Sequence, residues 1–280
     1  MILVIGSTGH VGRELVPQLL QSGQHFRVLV RDPQKVAQLD PGIERAVGNL
    51  NDLDSLVHAM RGVERVFLVT LTTPQDVNVL EAAKRTGVKH IVKLSTMEAT
   101  EHKIAIGQWS FEREELIRAS GLDWTFLRPG MFMSNSIGWW AASIKAQGVV
   151  YFPGGKGKSA PIDSRDIAAV AALALTQAGH SGQVYELTGS ELLTVKEMVG
   201  IISRTLGKPI RYVDIPPFAA KLRMSKSGMD KRRVNTLMEL LKSLRKNESA
   251  RVRDTVQRLT GRPARTFEEW CQENINAFRA

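Results

Sequence analysis

The stretch that decides the fold is residues 1–20, MILVIGSTGHVGRELVPQLL. Its apolar, β-branched start predicts a strand, and the apolar residues at helical spacing after the glycines predict a helix. Between them, Gly6 can adopt backbone angles closed to other residues, Gly9 lets a pyrophosphate approach the main chain, and Gly12 lets the helix pack on the strand. The free N–H groups and the dipole at the helix start therefore predict a phosphate site for a dinucleotide.

A glycine-rich turn without a ligand is the alternative for residues 6–12. The pattern alone is weak, because three glycines at this spacing also occur in ordinary turns. Here it follows directly on a strand pattern and directly precedes a helical one, which is the context that phosphate binding requires. That context favours the phosphate site.

Length and composition set the class of protein. The chain has 280 residues, of which 43% are apolar, enough for one large domain or a domain with a smaller lobe. A single cysteine, Cys271, excludes an intramolecular disulfide. The sequence has no metal-ligand spacing, no charged leader and no apolar run of about 18 residues. We therefore expect a cytoplasmic protein without a bound metal or a membrane span.

The net charge of +10 is concentrated in one segment. Between Lys221 and Arg265 there are fourteen Lys or Arg and four Asp or Glu, a difference that equals the whole excess. A solvated helical face is the simpler interpretation, and a surface for anionic ligands or nucleic acid is the alternative. Because this segment has no aromatic residue between Phe218 and Phe267, it lacks platforms on which bases could stack.

Strand and helix patterns alternate through the first half of the chain. The strand patterns cover residues 1–5, 26–31, 43–47, 65–70, 90–95 and 123–127. Short apolar strands between helices predict an α/β Rossmann fold, a doubly wound parallel sheet with helices on both faces. We expect a dinucleotide-binding domain over 1–150 and a smaller, partly interleaved substrate-side lobe over 151–280 that becomes helical towards its end.

Local signals place several helix ends. A short helix through Val36 and Leu39 follows the second strand, and a later helix is predicted from Trp109 to Ala119. Asp163 fits the N-cap of a helix better than a catalytic acid. The capping-box pattern begins at Thr194 and again at Thr266.

The end of the second strand indicates which nucleotide binds. NAD-binding units carry an acid at this point for the ribose 2′-hydroxyl, whereas a 2′-phosphate needs a cation. Here Arg31 comes first off the strand, and Lys35 follows one turn later. Asp32 precedes a proline and is placed to cap the short helix, which would occupy its carboxylate. The pattern favours NADP(H), with NAD(H) as the alternative.

Taken together, these residues resemble the NmrA-like group of atypical short-chain dehydrogenases/reductases, which includes quinone reductases, azoreductases, triphenylmethane reductase and non-catalytic NADP sensors. The resemblance covers about residues 1–215. The matching segments are Gly6–Gly12, Val30–Pro33, Gly48–Leu50, Gly87–Val92, Ser120–Gly130 and Pro161–Ala168.

The resemblance implies a set of cofactor contacts. Pyrophosphate would lie on Gly6, Ser7, Thr8, Gly9, His10, Val11 and Gly12; the 2′-phosphate on Arg31 and Lys35; adenine beside Asn49 and Leu50; ribose beside Thr70, Leu71 and Thr72; and nicotinamide beside Ser95, Met131 and Phe132. One departure from the group is Ser110, which stands where many relatives carry His or Lys and cannot supply their charge.

The chain lacks the catalytic Tyr–Lys pair of typical short-chain dehydrogenases, which limits the chemistry. Typical short-chain dehydrogenases use a Tyr with a Lys four residues on. The tyrosines here, Tyr151, Tyr185 and Tyr212, are followed at that spacing by Gly155, Gly189 and Pro216. Without the usual proton donor, we expect hydride transfer from NADPH to an acceptor that is already electron-poor, a quinone or an azo compound.

The sequence also offers candidates for the walls of the acceptor site and for proton delivery. Substrate-wall candidates are Met133, Trp139, Trp140 and Phe152, and ordinary core packing is the alternative for each. Catalytic candidates are Ser95, His102, Lys103 and Ser110, and for His102 and Lys103 a solvated position is the alternative.

Two further alternatives concern the whole protein. A non-catalytic NADP(H)-binding sensor competes with the enzyme, favoured by the missing Tyr–Lys pair and by Ser110. The partner expected for the chain as an enzyme is a small-molecule electron acceptor. Nucleic-acid binding by the basic segment is the other alternative, and the chain is expected to be a monomer or a homodimer.

Overall fold

The architecture is that of a computed structural model that describes residues 1–32, 34 and 41–279. Its centre is a seven-stranded sheet in the order β3-β2-β1-β4-β5-β6-β9. These strands are β1 (Ile2–Ile5), β2 (Phe26–Val30), β3 (Glu44–Val47), β4 (Arg65–Leu68), β5 (His90–Leu94), β6 (Asp123–Pro129) and β9 (Gln183–Leu187). The five pairings from β3 to β6 are all parallel.

Eleven helices are assigned within the described residues. They are α1 (Gly12–Gln21), α2 (Leu53–Ala59), α3 (Thr73–Thr86), α4 (Ala105–Arg118), α5 (Asn135–Gln147), α6 (Ser164–Thr176), α7 (Val195–Leu206), α8 (Pro217–Lys226), α9 (Lys231–Arg245), α10 (Thr255–Thr260) and α11 (Phe267–Asn274). Single turns of 3₁₀ helix lie at Met97–Thr100 and Ile275–Phe278. None of the helices in the described part is long and apolar enough to cross a bilayer.

The central strands are buried because the sheet is covered on both faces. Every residue of β1 is buried, as expected for a strand that contributes side chains to two layers. Helix α1 packs beside α6, and α2 packs beside α3. The Rossmann fold predicted from the sequence is therefore confirmed.

The chain forms two compact units built from interleaved segments. Unit 1 comprises 1–96, 109–128 and 164–185, and unit 2 comprises 97–108, 129–163 and 186–280. Unit 1 has a core that includes Leu3, Leu68 and Phe126.

Unit 2 has a core of its own, in which Trp140, Phe267 and Phe278 are almost fully buried. It holds two small sheets. In one, β7 (Val149–Phe152) pairs in parallel with β11 (Arg211–Asp214). In the other, β8 (Lys158–Ser159) pairs antiparallel with β10 (Leu193–Thr194).

Two helix starts confirm local rules. The side chains of Thr194 and Thr266 each accept the backbone N–H of the third helical residue, which is a glutamate. The carboxylate of that glutamate accepts the threonine's own N–H. Both capping boxes are therefore formed as the pattern predicts. Asp163 lies directly before α6, is buried, and has Arg265 Nε 3.0 Å from its carboxylate.

One helix start differs from the prediction. Helix α4 begins at Ala105, four residues before the predicted Trp109. The N–H of Ala105 donates to the carboxylate of Glu239, at 2.9 Å. This cap comes from a residue more than a hundred positions away, so no local pattern could reveal it.

Candidate functional site

The glycine turn leaves β1 and enters α1 at the carboxyl edge of the sheet. Gly6 has a φ of +85°, which a residue with a side chain rarely adopts. The N–H of Gly9 donates to Gly6 O at 3.0 Å, and the N–H of Arg13 donates to Gly9 O at 3.0 Å. Thr8, Gly9 and His10 are exposed at the tip, where a ligand can reach the main chain.

Gly12 is fixed by a close approach. A Cβ at Gly12 would lie 2.1 Å from Gly6 O and 2.7 Å from Ser7 Cα, closer than such atoms ever come. The start of α1 can therefore pack against the turn only if residue 12 has no side chain. This arrangement fits a dinucleotide pyrophosphate on the turn's main chain and at the helix N-terminus.

The next strand ends beside this turn. Arg31 is exposed directly after β2, on the same carboxyl edge as Gly6. The carboxylate of Asp32 accepts the N–H of Gln34 at 3.0 Å, as expected for a residue that caps the following turn. Lys35 and the short helix predicted through Val36 and Leu39 lie outside the described residues.

The loop after β3 is held by its own side chains. Asn49 is exposed, its side-chain oxygen accepts the N–H of Asn51 at 3.0 Å, and its own N–H donates to Ser55 Oγ at 3.0 Å. Leu50 packs against the core of unit 1, and its carbonyl accepts Asn78 Nδ2 at 3.0 Å. An ordered loop of this kind can offer an edge to an adenine ring.

The loop after β4 holds the three residues expected at the ribose. Leu71 is 76% exposed, and its N–H donates to Gln75 Oε1 at 2.9 Å. Thr72 is the N-cap residue of α3 in extended conformation. Thr70, in contrast, is buried.

A buried charged cluster holds Thr70. Lys93 Nζ donates to Thr70 Oγ1 at 2.9 Å and lies 3.3 Å from Asp76. Arg113 donates to both Asp76 and Thr70, and the Thr70 hydroxyl donates to Asp76 at 2.5 Å. The hydroxyl of Thr70 is therefore engaged within the protein, so a ligand would meet the main chain of this loop rather than that hydroxyl.

Burial changes the pKa of Lys93. Removal from water lowers this pKa to about 8, although the nearby carboxylate of Asp76 opposes the change. In an unfolded chain the pKa returns to its ordinary value of 10.5. Between these two values the unfolded chain binds more protons than the folded one, so the free energy of unfolding should rise with pH from about 8 to about 10.5.

Replacing Lys93 by methionine should remove this dependence. Denaturant unfolding of Lys93→Met between about pH 8 and pH 10 should show a flatter rise than that of the native chain. Lys84→Met, at an exposed position on α3, is the matched control and should keep the native slope. Equal slopes in the native chain and Lys93→Met would contradict the assignment.

A second buried ion pair, Glu114 with Arg128, contacts Ser95 directly after β5. Ser95 Oγ donates to Glu114 Oε1 at 2.5 Å, and Arg128 Nε donates to the same oxygen at 3.0 Å. Glu114 is fully buried, and Ser110 lies one turn before it on α4. Ser110 is buried as well, so a neutral hydroxyl lies where many relatives are expected to carry the charge of a His or Lys.

The substrate-wall candidates all lie in unit 2 and fall into two groups. Met133 and Trp140 are almost fully buried in the core, which fits the packing alternative that the sequence left open. Trp139 is 40% exposed, and its ring centroid lies 5.4 Å from that of the half-buried Phe152. Trp139 and Phe152 therefore give unit 2 an accessible aromatic wall.

The nicotinamide candidates of unit 2 lie in an ordered segment. The carbonyl of Met131 accepts the N–H of Ile162 at 2.9 Å, and Phe132 forms a parallel bridge with the same residue. Both side chains are half-buried.

The loop candidates for proton delivery are solvated. His102 is exposed and has a φ of +38°, which is unusual for a residue with a side chain. Lys103 is exposed, and its Nζ lies 2.5 Å from Glu101. The hydrogen bond and the charge of Glu101 raise the pKa of Lys103, which keeps its proton bound at neutral pH.

The tyrosines serve other roles. Tyr185 is buried with its hydroxyl 2.7 Å from His180 Nδ1. The Tyr212 hydroxyl donates to Phe152 O at 3.1 Å, and burial together with the charge of Asp214 raises its pKa to about 12. Arg223 lies over the ring of Tyr151, 5.2 Å from its centroid. The hydroxyls of Tyr185 and Tyr212 are therefore engaged within the protein.

Part of the basic segment neutralises acids of unit 2. Arg245 pairs with Asp214, and Arg265 with Asp163 and Glu273. Further pairs join Arg251 to Glu101 and Glu186, and Arg253 to Glu186. Outside these pairs, the exposed cations of α8 and α9 are Lys221, Arg223, Lys226, Lys231, Arg232, Arg233 and Lys242. Their exposure fits the solvated face that is the simpler interpretation of this segment, and nucleic-acid binding is only the alternative to it.

Known proteins resemble this chain over most of its length. A family model described as NAD(P)H-binding matches residues 6–178, well over half of the chain. The chain belongs to this NAD(P)H-binding family. No group of three or more His, Cys, Asp or Glu that could hold a metal ion occurs among the residues the structure describes.

Individual relatives match this chain over almost its whole length. The chain is 40% identical to an NAD(P)H azoreductase of Xenophilus azovorans, with complete coverage of both chains. It is 27% identical to the crystal structure of an NADPH-dependent quinone oxidoreductase from Escherichia coli complexed with NADPH, covering 99% of this chain and 100% of that one with a TM-score of 0.89. The negative transcriptional regulator NmrA, solved with NADP, is 19% identical, covers 98% and 95%, and shares the fold with a TM-score of 0.78. The azoreductase and the quinone oxidoreductase confirm the resemblance to the NmrA-like group, and NmrA itself shows the shared fold.

The sequence did not reveal the buried charges of this family member. Asp76, Arg113, Glu114 and Arg128 lie on helices or at a strand end, where charged residues ordinarily face water. Lys93 carried the one available signal, because it interrupts an otherwise apolar run in a strand that pairs on both sides.

Proposed function

We propose that the chain is an NADPH-dependent reductase that delivers hydride to an electron-poor conjugated acceptor of the quinone or azo type. The observation that carries this proposal is the turn from Gly6 to Gly12 at the carboxyl end of β1, where residue 12 has no room for a side chain. Full-length identity of 40% to an NAD(P)H azoreductase supports the same chemistry.

The residues present fit the cofactor. Main-chain N–H groups between Ser7 and Gly12, apart from that of Gly9, would hold the pyrophosphate, and Arg31 would hold the 2′-phosphate. Asn49 and Leu50 would border the adenine, and residues 70–72 would border the ribose. Bound NADPH supplies the hydride, and the protein binds it and orients its ring.

The side chains that could donate a proton support this class of acceptor. The hydroxyls of Tyr185 and Tyr212 are engaged in hydrogen bonds, and Lys103 holds its proton tightly. Reduction of an unactivated ketone needs a proton donor beside the developing alkoxide. A quinone or an azo compound accepts hydride without that help and can take its proton from water. Trp139 and Phe152 would contact the flat face of such a molecule.

Acceptor turnover tests the proposal. NADPH oxidation by the full chain should be measured by absorbance with a quinone, an azo dye and an unactivated ketone. We expect turnover with the quinone or the azo dye and none with the ketone. Ketone reduction would contradict the acceptor class.

Binding without turnover would favour the sensor. If calorimetry shows NADPH binding while no acceptor is reduced, the non-catalytic regulator becomes the better account. The relatives that support the enzyme are named as reductases, whereas NmrA supports only the shared fold. A cytoplasmic location and a monomeric or homodimeric state remain part of the proposal.

A further inference from the structure

Helix α8 presents two apolar side chains to solvent. Phe218 is 74% exposed, a larger fraction than for any other aromatic side chain in the described part of the chain, and Leu222 is 54% exposed. The two residues, which we call the apolar pair, are four positions apart, so they are neighbours on one face of the helix. Single exposed apolar residues are ordinary, whereas an aromatic residue and a leucine side by side form a patch that favours removal from water.

The other side of α8 fixes this orientation. Ala220 is buried, and the guanidinium of Arg223 lies over the ring of Tyr151, 5.2 Å from its centroid. The helix also packs against α9. Because successive residues of a helix are rotated by about 100°, Ala220 and Arg223 lie on the side away from the apolar pair. The contacts that hold α8 within unit 2 therefore leave the apolar pair in solvent.

Cations border the apolar pair on both sides. By the same helical rotation, Lys221 and Lys226 lie on opposite flanks of the pair, and both are exposed. Residues 217–233, which cover α8 and the start of α9, contain six Lys or Arg and a single Asp or Glu. An apolar centre with cations on both flanks is typical of helices that lie in the headgroup region of an anionic bilayer.

We propose that the outer face of α8, formed by Phe218, Leu222, Lys221 and Lys226, docks on an anionic lipid surface. The apolar pair enters the boundary between headgroups and acyl chains, and the two lysines meet the lipid phosphates. This docking does not depend on NADPH or on the acceptor, so it goes beyond the proposed function.

The charge of the outer face selects a lipid surface over two other partners. A second copy of the chain, packed on the same face about a twofold axis, would bring like charges together. The phosphates of a nucleic-acid duplex would pair with the lysines but would leave the apolar pair in water. An anionic bilayer satisfies both parts of the face at once.

Cosedimentation of the full chain with vesicles tests the docking. We expect binding at low salt to vesicles of equal parts phosphatidylcholine and phosphatidylglycerol, weaker binding at high salt, and none to phosphatidylcholine alone. Lys221→Gln with Lys226→Gln should weaken binding about 30-fold, the effect of removing two cations from an anionic surface. The matched control is Lys84→Gln with Lys89→Gln, at exposed positions of unit 1, which should bind as the native chain does.

Insertion of the apolar pair distinguishes docking from charge attraction alone. Phe218→Ser with Leu222→Ser should weaken vesicle binding at least about tenfold. Leu20→Ser with Val77→Ser changes two exposed apolar residues on other helices and should have no effect. A polarity-sensitive thiol dye on Phe218→Cys should shift its emission to the blue on the anionic vesicles, and the same dye on Val77→Cys should not. Cys271 is buried, and burial raises its thiol pKa to about 12, so it should stay unlabelled.

Several results would overturn the proposal. They are absence of binding to the anionic vesicles at low salt, binding that the two α8 double variants leave intact, and a loss with the lysine changes alone. A dimer in analytical ultracentrifugation that Phe218→Ser with Leu222→Ser dissociates would place a second copy on this face instead. Retardation of a DNA duplex that only the lysine changes weaken, without vesicle binding, would make nucleic acid the partner. Circular dichroism should show the native fold for every variant, because all the substituted side chains are exposed.

Discussion

Replacing Asp76 by alanine should destabilise the folded protein by about 3–5 kcal/mol, the usual cost of removing one partner from a buried ion pair. Asp76 is fully buried, and Lys93 and Arg113 are both almost fully buried beside it. Without the carboxylate, two cations would share the cluster with no compensating charge. The hydroxyl of Thr70 would also lose its acceptor.

The same helix supplies a matched control. Glu81 on α3 pairs with Arg85 at 2.8 Å, but both side chains are about half exposed. An exposed pair of this kind contributes little, so Glu81→Ala should cost no more than about 0.5 kcal/mol. Chemical denaturation of the two variants measures the difference. A cost for Asp76→Ala as small as that for Glu81→Ala would show that the buried cluster does not stabilise the fold.

Replacing Arg31 by aspartate should reverse the choice of nucleotide. We expect NADPH binding to weaken about 100-fold, because a charge-assisted hydrogen bond to the 2′-phosphate is lost and a like charge takes its place. NADH binding should be retained, since an acid at the end of the second strand suits the ribose 2′-hydroxyl. Titration of both nucleotides against both proteins gives the ratio.

An exposed arginine elsewhere in unit 1 controls for the loss of charge. Arg61 lies in the turn after α2, and Arg61→Asp should leave the preference for NADPH unchanged. If Arg31→Asp instead bound NADPH more tightly relative to NADH, the assignment of the 2′-phosphate to Arg31 would be wrong.

The fold was predictable because its signals are local. The apolar run before Gly6, the glycines of the turn and the regular spacing of strands are all visible within short windows of sequence. The two capping boxes at Thr194 and Thr266 are four-residue patterns and formed as expected. Where a structure depends on neighbours along the chain, the sequence was sufficient.

Contacts between distant residues could not be predicted in this way. The cap of α4 by Glu239 and the pairing of Asp76 with Lys93 join residues with no pattern in common. The acceptor-site candidates show the same limit, because Trp139 and Trp140 are adjacent in sequence yet one is accessible and the other is core. Which side of a helix faces solvent depends on tertiary packing, and two tryptophans in a row do not indicate it.

The central claim is that the main chain of residues 6–12 binds the phosphates of a reduced dinucleotide. A crystal structure of the full chain grown with NADPH tests it most directly. We predict the pyrophosphate on the N–H groups at the start of α1 and the 2′-phosphate against Arg31. Crystals in which NADPH is bound elsewhere, with this turn free of phosphate, would contradict the account.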